Sequence, residues 1–110
     1  MTGRILRLKI HLFFALVWQD RAERSYQSSF SNNLNSLLDS FPYAICWDIN
    51  PENCIQIDAN CPNMEAACVL MRRVAHYLEL RAKAGTITYL GAFKSLEDAD
   101  AAVAATTLAR

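Results

Sequence analysis

Glycine and proline are scarce in this chain of 110 residues, which contains three of each. With 53% apolar residues and so few breakers, the sequence is too hydrophobic for a disordered segment or a flexible linker. It also lacks an uninterrupted run of about 18 apolar residues, which a membrane-spanning helix would need. We therefore expect a single α+β domain over residues 1–110, built around one hydrophobic core.

The chain has no excess of charge of either sign, because eleven basic and eleven acidic side chains give a formal net charge of zero. No overall field attracts phosphate backbones or anionic lipids, which disfavours nucleic acids and membranes as partners. Arginine outnumbers lysine by eight to three, a ratio that favours a bacterial or phage source.

Closely spaced cysteine pairs are absent as well. Cys46, Cys54, Cys61 and Cys68 are separated by six or seven residues, whereas structural zinc sites use close pairs such as C-x2-C. We predict four free thiols, no metal and no cofactor, as is typical of a cytoplasmic protein.

The first segment, residues 4–18, has the basic start and apolar middle of a signal peptide. No small-x-small cleavage site follows Trp18, and about nine apolar residues are too few to cross a bilayer. Apolar side chains occupy every even position from Leu6 to Trp18, which predicts a β-strand rather than a signal peptide or an anchor. Since Phe13, Ala15 and Val17 make the odd face apolar too, the second half of the strand should be covered on both sides.

Periodicity predicts the remaining elements. Apolar residues at steps of three and four indicate helices over residues 20–41 and 62–85. Two alternating stretches on either side of the turn 51–53 predict a hairpin, and residues 86–93 predict a last strand. Ser95 is suited to cap a final alanine-rich helix.

The second helix has the longest apolar stripe in the chain. We expect its core face to consist of the residues that recur at steps of three and four: Met64, Ala67, Cys68, Met71, Val74, Ala75, Leu78 and Ala82. Two methionines and a cysteine in this stripe could suggest a soft-metal site, but their spacing is that of a buried helix face.

The element order β-α-β-β-α-β-α predicts a ferredoxin-like β-α-β-β-α-β sheet-and-helix sandwich with an extra C-terminal helix. In this arrangement the first and third strands are central, two helices cover one face of the sheet, and the other face is open. The expected open face presents the side chains predicted to bind a partner: Arg7, Lys9, His11, Phe13, Cys54, Gln56 and Asp58.

A thiol, an imidazole and a carboxylate on this face permit a Cys-His-Asp interpretation. Charges that pair across strands and thiols that merely pack are more common on such faces, so we predict no catalytic residue. We expect a second copy to bind there and form a homodimer. A second candidate surface is the basic outer side of the second helix, with Arg72, Arg73 and His76.

We therefore predict a small non-enzymatic interaction or regulatory module that binds a protein partner, homodimeric through its sheet, of the kind found among bacterial or phage accessory proteins. One alternative is a dimeric α/β-barrel-type small-molecule binder or cofactor-free enzyme, with an enclosed pocket lined by Trp18, Trp47 or Tyr89. A second alternative is a nucleic-acid-binding regulator, which would use the basic helix face.

Overall fold

The computed structural model describes residues 8–19, 24–50 and 54–108. The predicted site residue Arg7 and the predicted turn 51–53 lie outside the described residues. The elements in chain order are β1 (Leu8–Trp18), α1 (Arg24–Asp39), β2 (Ile45–Asn50), β3 (Cys54–Cys61), α2 (Met64–Lys83), β4 (Ile87–Phe93) and α3 (Leu96–Leu108).

The four strands form one sheet in the order β2-β3-β1-β4, in which every neighbouring pair is antiparallel. The long strand β1 pairs with β3 over residues 8–15 and with β4 over residues 13–18, and β3 also pairs with β2, so β1 and β3 are central. The predicted α+β class is confirmed as a four-stranded antiparallel sheet with three helices.

The main core lies between one face of the sheet and the helices α1 and α2. The even residues of β1, among them Phe14 and Leu16, project into it together with Ile55 and Ile57 of β3, and all four are fully buried. Alternation of side chains along each strand explains why these residues share one face. Trp18, Trp47 and Tyr89 are partly buried against the same core. A barrel-type binder would instead use them to line an enclosed pocket.

Helix α2 places only part of its predicted apolar stripe in the core. The buried residues are Ala67, Leu70, Val74 and Leu78. Met64 is 66% exposed and Met71 is 37% exposed, and Cys68 is exposed too. The assignment of Met64, Cys68 and Met71 to the core was therefore wrong. The assignment of Ala67, Val74 and Leu78 to the core is confirmed. Leu70 and Met71 are each three or four residues from Ala67 and Val74, so only docking on the sheet selects which of the two enters the core.

The boundaries of α2 follow from local chemistry. The Asn63 side-chain oxygen accepts a hydrogen bond of 2.8 Å from the Ala66 backbone N–H, which caps the first turn. The helix ends next to Gly85, whose φ of +84° suits the left-handed position that glycine adopts without strain.

Helix α3 packs against the opposite face of the sheet, where Ala15, Cys54 and Ala99 are fully buried. Around them lie partly buried apolar residues: Phe13, Leu90, Phe93, Leu96 and Val103. A bulge in β4 leaves Leu90 without a partner on β1 and lets its side chain join this cluster. The expectation that this sheet face is open was therefore wrong for the half beneath α3. The apolar odd face of β1 is covered within the chain.

Candidate functional site

A groove among the described residues runs along α2 and is bordered by the end of α1 and by residues 40–43 after it. Residues three or four positions apart on a helix lie on the same side, so Arg73, His76, Tyr77 and Leu80 of α2 all reach it. Leu37 of α1 faces them. One half of the groove has a volume of about 460 Å³ and is lined by Leu37, Arg72, Arg73, His76, Tyr77 and Leu80.

The floor of this half is apolar and firmly held. Leu37 and Tyr77 pack against the main core, while Leu80 remains 45% exposed. The Tyr77 hydroxyl donates a hydrogen bond of 3.0 Å to the Phe30 carbonyl oxygen, which ties α2 to α1. Burial raises the pKa of Tyr77, so the phenol stays protonated and keeps this bond. The groove is thus preformed between two helices that are linked at its base.

The groove continues past Arg73 toward the start of α2. This second half has a volume of about 430 Å³, and its walls include Phe41, Tyr43, Val69 and Arg73. The Tyr43 hydroxyl donates a hydrogen bond of 3.2 Å to the Ala66 carbonyl oxygen, and burial raises the pKa of Tyr43 to about 12. Arg73 lines both depressions, and we call the two together the interhelix groove.

The rim of the interhelix groove is basic. The Arg73 guanidinium lies 5.7 Å from the centre of the Phe41 ring, a cation–π distance that orients the side chain. Within the part of the chain that the structure describes, neither Arg72 nor Arg73 forms an ion pair with a carboxylate. Glu65 is the one acidic residue that lines the groove there, at the end remote from Leu80. Both guanidinium groups are therefore available to an anionic partner.

The predicted sheet-face residues fall into two groups. Lys9, His11, Gln56 and Asp58 lie on the part of the face that α3 does not cover, whereas Cys54 is fully buried beneath α3. Burial raises the pKa of the Cys54 thiol, and the nearby Asp100 carboxylate raises it further. This thiol is consequently neither exposed nor ionised near neutral pH.

Phe13 lies at the boundary between these two groups. It is partly buried against the cluster beneath α3, directly opposite Gln56 on β3.

His11 and Asp58 form an ion pair on this face, and Gln56 Nε2 donates a hydrogen bond of 3.4 Å to Asp58 Oδ2. They are directly opposite on β1 and β3, and His11 Nδ1 lies 2.6 Å from Asp58 Oδ1. Asp58 is in turn opposite Cys46 on the edge strand β2. Asp58 therefore lies between the imidazole and the thiol, which are two strand spacings, about 10 Å, apart. The His11 ring cannot act as the base for Cys46 in this arrangement.

The pair is also solvent-exposed, since the His11 and Asp58 side chains retain 61% and 44% of their accessible surface. An exposed pair of this kind contributes little to stability. Across the described ranges, no cluster of three or more His, Cys, Asp or Glu side chains has the arrangement of a metal site. All four cysteines are free, with Cys46 exposed at the edge strand and Cys61 in the main core.

Sequence reasoning identified Arg72, Arg73 and His76 but missed the apolar floor beneath them. Tyr77 and Leu80 stand at helical spacing from Arg73, and this signal alone could have placed them beside it. Nothing in the sequence linked them to Leu37, which is distant along the chain and on another helix.

Comparison of the chain with family models, characterised proteins and solved structures yields no match. No helix within residues 8–19, 24–50 and 54–108 is both long enough and apolar enough to cross a membrane. Only the geometry and chemistry of the interhelix groove and the sheet face therefore bear on function.

Proposed function

We propose that this protein is a small non-enzymatic interaction module that binds a protein partner through the interhelix groove. The observation that carries the proposal is an apolar floor at Leu37, Tyr77 and Leu80 beside the guanidinium groups of Arg72 and Arg73. Among the described residues, neither group pairs with a carboxylate. Tyrosine and arginine are the residue types that most often dominate the free energy of protein association.

The shape of the groove favours a protein over a small molecule or a nucleic acid. Small-molecule sites usually surround most of their ligand, whereas this depression is shallow and extends along most of α2. Nucleic-acid binding depends on many phosphate contacts, and Lys9, on the other face of the sheet, cannot add to the basic residues of α2.

We also infer that the scaffold is a ferredoxin-like β-α-β-β-α-β sandwich with an extra C-terminal helix. The inference is supported by the strand order β2-β3-β1-β4 with antiparallel neighbours, and by the two helices α1 and α2 on one side. The extra helix α3 would then be an addition that covers half of the remaining face.

Homodimerisation through the sheet stays a prediction. With α3 in place, the surface left for a second copy includes Lys9, His11, Gln56 and Asp58, and it is mostly polar. Charged residues are depleted at the centres of stable interfaces, so a dimer of this kind would be weak. Light scattering at high micromolar concentration tests it, and a monomeric mass there would contradict it.

The proposed function can be tested by affinity capture with matched variants. Leu80→Glu places a charge on the groove floor, and Met71→Glu places the same charge on the opposite flank of α2 at a similarly exposed residue. We expect a protein to be retained by the wild type and by Met71→Glu, and to be lost with Leu80→Glu. Circular dichroism verifies that both variants are folded. If Leu80→Glu still retains the captured protein, the assignment of the interhelix groove as the binding site is wrong.

A further inference from the structure

We infer that the segment of the partner that occupies the interhelix groove is an acidic amphipathic helix. This inference rests on the proposed function, since it specifies what the same groove binds. It depends on three properties of the groove: the backbone that forms its walls, its length, and the charge of its rim.

The walls favour a helix over an extended segment. One wall is α2, whose backbone N–H and C=O groups are bonded within the helix. The facing wall consists of Leu37 of α1 and residues 40–43 after it. There the Ser40 and Phe41 N–H groups already donate to carbonyl oxygens of α1, and Pro42 has no N–H. An extended peptide would find few backbone partners there and would leave its own polar groups unpaired. A helix satisfies its backbone internally and needs only an apolar face, which the groove can accept through Leu37, Tyr77 and Leu80.

The length of the groove sets the length of the bound helix. Its lining residues on α2 extend from Glu65 to Leu80, which at the helical rise corresponds to roughly 22 Å. A helix of about 15 residues covers that distance with apolar residues at i, i+4, i+7 and i+11. The two halves of the groove, of about 460 and 430 Å³, meet at Arg73 and would each receive part of this stripe.

The rim determines the charge of the partner. Arg72 and Arg73 have no carboxylate partner among the described residues, and a guanidinium binds a carboxylate through two parallel hydrogen bonds. Arg73 stands where the two halves join, so acidic residues near the middle of the bound helix would meet it. A basic helix would place like charges against both arginines.

A peptide-display selection on the purified protein tests this inference. The probe is a library of 16-residue peptides with apolar residues at the four anchor spacings and all other positions random. We expect enrichment of Asp and Glu beside the anchors. A selected peptide should bind Arg72→Glu/Arg73→Glu at least about tenfold more weakly, a loss of about 1.4 kcal/mol. Its affinity for Met71→Glu should be unchanged.

The outcomes separate this inference from the proposed function. Enrichment of basic residues, or of neither charge, would refute the acidic character of the bound segment. Equal enrichment from a parallel library with a central proline would refute its helical conformation. If a natural protein is still captured in a manner that depends on Leu80, the proposed function stands without it. If Leu80→Glu instead lowers the mass of the purified protein in sedimentation, a second copy occupies the groove and the inference is wrong.

Discussion

Replacing Leu70 by alanine, with Met71→Ala as its matched control, tests which face of α2 forms the core. Leu70 is fully buried in the main core, whereas its neighbour Met71 is 37% exposed on the flank of the helix. The two positions differ by 100° around the helix axis. The sequence stripe predicts Met71 as a core residue and omits Leu70, so the two variants separate the predicted orientation of the helix from the observed one.

The expected magnitudes follow from burial. A leucine truncated in a close-packed core costs about 2–5 kcal/mol, because both the transfer free energy and the contacts around the new cavity are lost. Met71→Ala removes a side chain that is already hydrated in part, and we expect a cost of about 1 kcal/mol or less. The free energy of unfolding of domains of this size is about 5–15 kcal/mol, so Leu70→Ala removes a large fraction of it.

Urea unfolding measures this difference directly. Trp18 and Trp47 both pack against the main core, so their fluorescence reports its loss. For a small domain, the expected destabilisation by Leu70→Ala lowers the urea midpoint by about 1–3 M, and Met71→Ala lowers it by less than about 1 M. A cost for Met71→Ala that equals or exceeds that of Leu70→Ala would refute the orientation of α2 described above.

Three further predictions follow from local chemistry. Under limited alkylation near pH 8, the buried Cys54 should react much more slowly than the exposed Cys46; equal rates by mass spectrometry would mean that α3 does not cover the sheet. Burial raises the pKa of Tyr89 from 10.0 to about 12, so the folded state retains this proton more tightly than the unfolded state. The contribution of this proton to the free energy of unfolding is complete below pH 10 and is lost as pH rises toward 12. Phenolate absorbance measures the titration of Tyr89, and unfolding curves at the same pH values measure the loss of stability. Gly91→Ala should lower the free energy of unfolding by about 1–3 kcal/mol, because a φ of +121° strains any residue with a side chain. Ala92→Gly, the control, should lower it by less than about 1 kcal/mol. An unchanged melting temperature for Gly91→Ala would contradict this prediction.

Much of the fold could be predicted because the sequence patterns are local. The alternation in β1 and across the hairpin permits only one assignment, since period two is incompatible with a helix. The α+β class and all seven elements follow from such patterns. The choice between Leu70 and Met71 as the core residue of α2 could not be predicted, because both have helical spacing to the buried Ala67 and Val74.

The candidate site was only partly predictable for the same reason. The basic residues Arg72, Arg73 and His76 are close in sequence, and helical spacing brings them to one side. Their apolar neighbour Leu37 belongs to another helix, and its approach depends on how α1 and α2 pack on the sheet. The sheet-face prediction grouped Cys54 with His11 because it assumed that nothing covered that face.

By itself, the sequence determined the identity and order of the elements, since side-chain periodicity and turn chemistry act over a few residues. It also determined that the second half of β1 needed cover on both faces. Only the tertiary structure decided that α3 supplies this cover, that Leu70 rather than Met71 enters the core, and that Leu37 joins the arginines of α2 in one groove. These outcomes depend on which apolar surfaces meet when the elements dock, and close packing of the whole chain, rather than local periodicity, decides that.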